Sequence, residues 1–278
     1  MKVRLLTALG MAVVGIPILI FSRYIVFAIT VAILSVVAVY EMFKAIGINK
    51  RYSLAYPAYV IAFAFPFSSY FFAAEYRFAF LLACVAALFV YMLYGFFVAV
   101  FKKGEMKFSE LSGAFCLASY VIFSFTAITF MRYMDMKTGI WNFVLVLVTA
   151  WGSDVFAYFT GRLFGRHKLI PEVSPKKTVE GAVGGIICAT GLAILYGFIV
   201  SRVRGLDPNY IVLGASAFVL SAVSQVGDLI ASLIKRECGI KDYGKIFPGH
   251  GGVMDRFDSV LSITTVTMAV CLIFPPFV

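Results

Sequence analysis

Charge is the first thing this sequence has little of. Only 14% of its 278 residues are Asp, Glu, Lys or Arg, where a soluble domain carries about 25%. A soluble globular protein cannot cover its surface with so few ionic groups, and a disordered chain needs more of them, so both classes are excluded. Cysteine is sparse: of the five, Cys84, Cys116, Cys188 and Cys271 lie inside apolar runs and Cys238 in a polar stretch. No C-x-x-C occurs, which excludes a structural zinc site or a disulfide-stapled secreted module. Two histidines are too few for a His-rich metal centre. What is abundant is apolar surface, 62% of all residues, with 29 phenylalanines against two tryptophans. No single soluble core can hide that much, and a bilayer can. The composition is that of a polytopic membrane protein.

Nine apolar runs follow one another, at about 5–22, 24–41, 56–74, 78–101, 111–131, 139–161, 180–201, 209–234 and 257–277. Each is near the roughly 20 residues a helix needs to cross the hydrocarbon. The runs are continuous rather than alternating, which excludes barrel strands. The expected fold is therefore all-α, with about nine transmembrane helices. The chain opens Met-Lys-Val-Arg, as a signal peptide does, but no small-residue cleavage site follows and a second run begins at Tyr24. Residues 5–22 read as a retained span. With the N-terminus in the cytosol, three quarters of the 24 lysines and arginines fall on the cytosolic side, Lys2, Arg4, Lys102, Lys103 and Lys107 among them. That bias sets the expected orientation, N-terminus inside and C-terminus outside. It also accounts for much of the net charge of +10, so no nucleic-acid partner is expected.

The two halves differ. Residues 1–137, about five spans, have short loops and hardly an ionisable residue inside a span, and read as a scaffold. Residues 138–278, about four spans, carry two long loops, 162–179 and 235–256, rich in Gly, Pro, Lys, Asp and His. That half is expected to hold the chemistry.

Two carboxylates stand inside apolar runs, Asp154 in TAWGSDVFAYF and Asp228 in AVSQVGDLIASL. A charge there costs about 2.5–3.5 kcal/mol on insertion scales and must face a partner or a wet cavity. Each lies about eight residues, or roughly 12 Å, from its cytosolic helix end. Helical spacing extends both: Asp228, Ser232 and Lys235 form one stripe, Asp154, Tyr158 and Arg162 another. In SPKKTVEGAVGG, Ser174 and Pro175 read as a helix start, with Ser as N-cap and Pro at the first position. Lys176 and Lys177 then fall in a first turn that disfavours cations. A bound phosphate would resolve the conflict; the alternative is two membrane-surface lysines. Gly181, Gly184 and Gly185 read as points of close helix packing.

The densest segment is SLIKRECGIKDYGKIFPGHGGVMDRFD, residues 232–258, with three aspartates, five cations and one histidine. Asp255 and Asp258 are three apart at the entry to the last span and can face one direction. With Asp228 they offer the oxygen donors that Mg²⁺ takes alongside water and phosphate. His250 sits among glycines in PGHGG, where a lone histidine is usually solvated.

This segment resembles the signature of the phosphatidate cytidylyltransferases, or CDP-diacylglycerol synthases. The pattern S-x-x-K-R-x4-K-D-x-G-x2-F-P-x-H-G-G-x2-D-R-x-D is met at Ser232, Lys235, Arg236, Lys241, Asp242, Gly244, Phe247, Pro248, His250, Gly251, Gly252, Asp255, Arg256 and Asp258. Upstream, D-x3-Y-x2-G-R (Asp154 to Arg162), S-P-K-K-T-x-E-G (Ser174 to Gly181) and G-D-L at Gly227–Leu229 are similar to that family too. The resemblance covers about 150–260. It implies an integral-membrane enzyme, in a bacterial inner membrane with its site at the cytosolic face, that joins CTP to phosphatidic acid with Mg²⁺. It further implies catalytic roles for Lys235, Arg236, Asp255 and Arg256, and metal ligation by Asp228, Asp255 and Asp258. Substrate contacts are implied for Asp154, Tyr158, Arg162, Ser174, Lys176, Lys177, Thr178, Glu180, Ser232, Lys241, Asp242, His250, Gly251 and Gly252. A second cation and a homodimer are left open.

Rival classes fit less well. An ion-coupled transporter expects charges near the midplane and repeated, broken helices, whereas these charges lean to one leaflet and no repeat is visible. The paired D-x2-D-G and D-x3-D motifs of the CDP-alcohol phosphotransferases are absent. An enzyme taking an ether-linked archaeal lipid is a closer alternative.

Overall fold

The computed structural model describes residues 2–102 and 106–278, with side chains from Leu6 onward. Lys103, and the side chains of Lys2 and Arg4, which entered the charge count, lie outside that description. Among the described residues the helices are α1 (Lys2–Ile20), α2 (Ile25–Ala45), α3 (Tyr52–Phe72), α4 (Arg77–Phe101), α5 (Phe108–Met134), α6 (Gly139–Phe164), α7 (Val179–Arg204), α8 (Tyr210–Glu237) and α9 (Met254–Ile273). Each expected apolar run became one helix. Eight of them, α2 to α9, are long and apolar enough to cross a membrane, while the apolar part of α1, Leu6–Ile20, is shorter. The molecule is an all-α polytopic membrane protein.

The chain divides into two units, one of Met1–Met134 with Ile240–Arg256 and one of Asp135–Gly239 with Phe257–Val278. The segment 240–256 thus belongs with the first unit, on the other side of the 137/138 division drawn from composition.

In the first unit α2, α3 and α5 pack on one another, and α4 lies against α3 and α5. Their shared core holds Phe27, Phe43, Ile122, Phe125, Ile128 and Phe130, all fully buried. Polar fasteners cross it. The Thr129 hydroxyl donates to Ser69 Oγ at 3.1 Å, and Tyr91 donates to the Leu54 carbonyl at 3.1 Å. Arg77 Nη2 donates to the Met134 carbonyl at 2.6 Å, serving an open carbonyl at the α5 C-terminus. On α4, Phe78, Leu82 and Phe89 are exposed, as residues against lipid tails can be.

In the second unit α7 packs along α6 and α8. Glycine lets it approach. A Cβ on Gly181 would come within 2.7 Å of the Ala157 carbonyl, and one on Gly185 within 2.8 Å of the Ser153 carbonyl. Gly184 would meet the Thr160 side chain, so the close-packing role expected of all three holds. Gln225 ties three helices together, its Nε2 donating at 3.0 Å to Ser153 Oγ and at 3.0 Å to the Ala182 carbonyl. At the opposite end Leu145, Ala193, Val200, Leu213 and Phe277 close the core.

The helix start expected at Ser174 and Pro175 is a strand instead. β1 (Lys168–Ile170) and β2 (Ser174–Thr178) form an antiparallel hairpin. Pro175, which cannot donate to a ladder, is tolerated because a two-stranded hairpin keeps an open edge. Thr178 is the real N-cap of α7, its hydroxyl accepting from the Gly181 N–H at 3.1 Å. Glu180 in the first turn suits the positive end of the helix and leaves no conflict to resolve. Lys176 and Lys177 therefore sit on β2, outside the helix.

Candidate active site

The second unit gathers charge where α6, α8, α9 and β2 supply one side chain each. Asp154 comes from α6, Asp228 from α8, Asp258 from α9 and Lys177 from β2, and all four are half-buried. Lys177 Nζ makes an ion pair with Asp228 Oδ2 at 2.6 Å. Asp154 is hydrogen-bonded by the Ser259 hydroxyl and feels both the attraction of Lys177 and the repulsion of Asp228. Asp258 is repelled by Asp228 and Asp154 and attracted by Lys235; its Oδ1 also accepts the Ser259 N–H at 2.9 Å. Three carboxylates thus lie within electrostatic reach of one another and of two lysines.

Local sequence explains the gathering. Gly227 precedes Asp228, and a Cβ there would collide with Ser262 and approach the Asp258 carbonyl to 3.3 Å, so α9 can lie directly on α8. The hairpin is docked the same way. Cβ atoms on Gly161 or Gly165 would come within 2.8 Å of Thr178 Oγ1. The Glu180 carboxylate locks the base of the hairpin by accepting the Arg166 N–H at 3.0 Å and contacting His167 Nδ1 at 2.6 Å. Lys177 is delivered to Asp228 from this fixed strand.

Of the other expected site residues in this unit, Ser174, Thr178, Glu180, Ser232 and Lys235 are half-buried, while Tyr158, Arg162, Lys176 and Arg236 are exposed. Tyr158 stacks edge-on against Phe159. Among the described residues no three His, Cys, Asp or Glu side chains draw close enough to form a ready-made metal cage.

The first unit holds the glycine-rich turn of the signature segment. The backbones of Phe247 and Gly251 exchange hydrogen bonds, 2.9 Å one way and 3.1 Å the other. Gly249 at φ 74° and Gly251 at φ 89° provide the left-handed residues the turn needs. Asp255, expected as a catalytic residue and metal ligand, turns back on this loop: its Oδ2 accepts the Tyr243 N–H at 2.8 Å and the Gly252 N–H at 2.9 Å. His250 is half-buried with its Nδ1 buried and lacking a hydrogen-bond partner among the described residues. Lys241, Asp242 and Arg256 are exposed.

Two residues escaped the sequence reading. Ser259 carried no signal beyond its place beside Asp258. Glu41 carried a clear one, a lone carboxylate at the end of an apolar run. It is 2% exposed and accepts the Val253 N–H at 3.1 Å and the Met254 N–H at 2.9 Å.

A family model described as the cytidylyltransferase family matches residues 2–274. Among curated relatives, the phosphatidate cytidylyltransferases of Staphylococcus epidermidis and Staphylococcus haemolyticus are each 40% identical over 158 residues. That of Staphylococcus aureus is 38% identical over 160 residues. Each match covers 56% of this chain and 58% of the relative.

Proposed function

Because the chain belongs to the cytidylyltransferase family, we propose that it transfers the cytidylyl group of CTP to phosphatidic acid, with Mg²⁺, giving CDP-diacylglycerol and pyrophosphate. The staphylococcal relatives, named for that activity, support the reading. The structural observation that carries it is the gathering of Asp154 and Asp258 around the Lys177–Asp228 ion pair.

An oxygen of the phosphatidate monoester attacks the α-phosphorus of CTP. A P–O bond forms there, the bond to the bridging oxygen of the β-phosphate breaks, and pyrophosphate leaves with that electron pair. The monoester is already an anion at pH 7, so no strong general base is needed. Bringing two polyanions together is the difficulty, and positioning with charge neutralisation supplies most of the catalysis. Lys177 can exchange its Asp228 partner for a phosphate oxygen, and Lys235 lies close enough to share the task. Arg162, Lys176 and Arg236, exposed on the same unit, are the further cations proposed to meet phosphates.

The donor set suits a hard cation. Three carboxylates share two lysines among the described residues, and Mg²⁺ takes one or two carboxylates and fills the rest of its sphere with water and substrate phosphate, so no preformed cage is required. Asp228 and Asp258 are the residues proposed to hold it, with Asp154 bracing the group through Ser259. When bound, the ion supplies charge neutralisation at the reacting phosphates. Asp255, whose Oδ2 is engaged by two N–H groups of the turn, keeps the catalytic and metal-ligating role that the resemblance implies as part of the proposal. His250 Nδ1, without a hydrogen-bond partner among the described residues, is by itself a candidate contact for a polar substrate atom in the first unit. The bias of basic residues supports an active site at the cytosolic face, and the bacterial relatives support a bacterial cell membrane.

The test is an assay of purified protein in detergent with CTP, Mg²⁺ and either diacyl or archaeol-type phosphate. Pyrophosphate release that depends on the diacyl lipid supports the proposal. Its absence from folded protein with every phosphatidate-like acceptor overturns it.

A further inference from the structure

The signature loop is built on a residue far outside the signature. Glu41 lies in the last turns of α2, almost fully buried, and its carboxylate spans the backbone where the loop becomes α9. One oxygen accepts from Val253 and the other from Met254, the N–H groups that a helix leaves open at its start. The loop is shaped to receive it: a Cβ on Gly244 or on Gly252 would collide with the Glu41 carboxylate. Asp255 holds the same loop from its own side through Tyr243 and Gly252, and it repels Glu41. Two like charges are tolerated together because four backbone N–H groups and the positive end of α9 face them. From α1, the Thr7 hydroxyl donates to the Pro248 carbonyl at 2.8 Å, a second tie between the scaffold helices and the turn.

A salt bridge would hold two side chains; these bonds hold main chain. A carboxylate on consecutive N–H groups fixes the direction in which the loop enters the helix, and with it the start of the helix that carries Asp258. We infer that Glu41 is a positioning residue: from α2 it sets the working conformation of the 244–254 loop and the first turn of α9, without itself touching substrate. The kinetic part of this inference rests on the proposed cytidylyl transfer; the structural part does not.

The experiment is Glu41→Gln, read in purified protein by amide hydrogen exchange over 243–254 and by steady-state kinetics per folded molecule. Gln keeps the length but loses the charge, and one of its two hydrogen-bonding atoms becomes a donor facing an N–H. The expected result is exchange in that segment faster by about tenfold, other helices unchanged, and kcat lower by roughly a hundredfold, the size of loss a small misplacement causes, with KM for CTP within about twofold. Should Glu41→Gln not fold, Gly244→Ala crowds the same carboxylate with Glu41 intact and is read by the same two measurements. Exchange at the wild-type rate in the folded variant overturns the anchoring. Faster exchange with unchanged kcat overturns the positioning role and leaves a purely structural one. If the wild-type protein shows no cytidylyl transfer, the proposed function fails, and the exchange measurement still decides whether Glu41 holds the loop.

Discussion

In the first unit Glu41 and Asp255 are each met by two backbone N–H groups; in the second, Asp154, Asp228 and Asp258 share two lysines and a serine. The first arrangement is closed. Those amides cannot be released without undoing the turn and the start of α9, so both carboxylates brace the architecture there. On the proposed function the second arrangement is exchangeable, Lys177 leaving Asp228 for a phosphate and the carboxylates taking a cation. A carboxylate bonded by main chain thus braces structure, and one paired with mobile side-chain charge is open to exchange.

Substitutions can break that contrast. The largest effect is expected from Asp228→Asn, which keeps shape but removes the charge that both Lys177 and a hard cation need. Turnover should fall by roughly 10²–10³-fold, the scale of losing one preorganised electrostatic contact, in protein that still folds by thermal shift. Asp258→Asn should retain measurable turnover while the Mg²⁺ concentration for half-maximal rate rises by about tenfold or more, the scale on which hard-cation sites respond to ligand charge; a superimposable Mg²⁺ titration would remove Asp258 from the ligand set. Lys177→Gln should raise KM for CTP by about tenfold, one charge-assisted phosphate contact, whereas exposed Lys176→Gln should change it less. Equal effects would return both lysines to a role at the membrane surface. The smallest effect belongs to Thr178→Val, which removes the N-cap of α7 and should cost about 1 kcal/mol of stability, seen as a lowered melting midpoint with KM for CTP nearly unchanged.

Much of this was legible in the sequence for simple physical reasons. A helix that crosses lipid needs a long apolar run, so each run could be read directly. A charge inside such a run is costly, so Asp154 and Asp228 stood out. Glu41 obeys the same rule but stands at the very end of the apolar run 24–41; α2 continues to Ala45 and buries it. The partners of Glu41 could not be read at all, since they are backbone amides more than two hundred positions away, admitted by two glycines whose missing side chains leave no mark in a pattern. The Ser-Pro dipeptide at 174 was misread because it suits both a helix start and a strand edge, and the docking of Thr178 against Gly161 and Gly165 decides between them. Ser259 gave no signal, because a serine on a helix usually bonds its own backbone.

The most direct test places wild type and Asp228→Asn side by side, with CTP labelled at the α-phosphate, phosphatidic acid and Mg²⁺. The wild-type protein should move label into the lipid fraction with one pyrophosphate released for each lipid labelled, and folded Asp228→Asn should move almost none. Label transfer at the same rate in both proteins would contradict the assignment of the chemistry to the carboxylate group of the second unit.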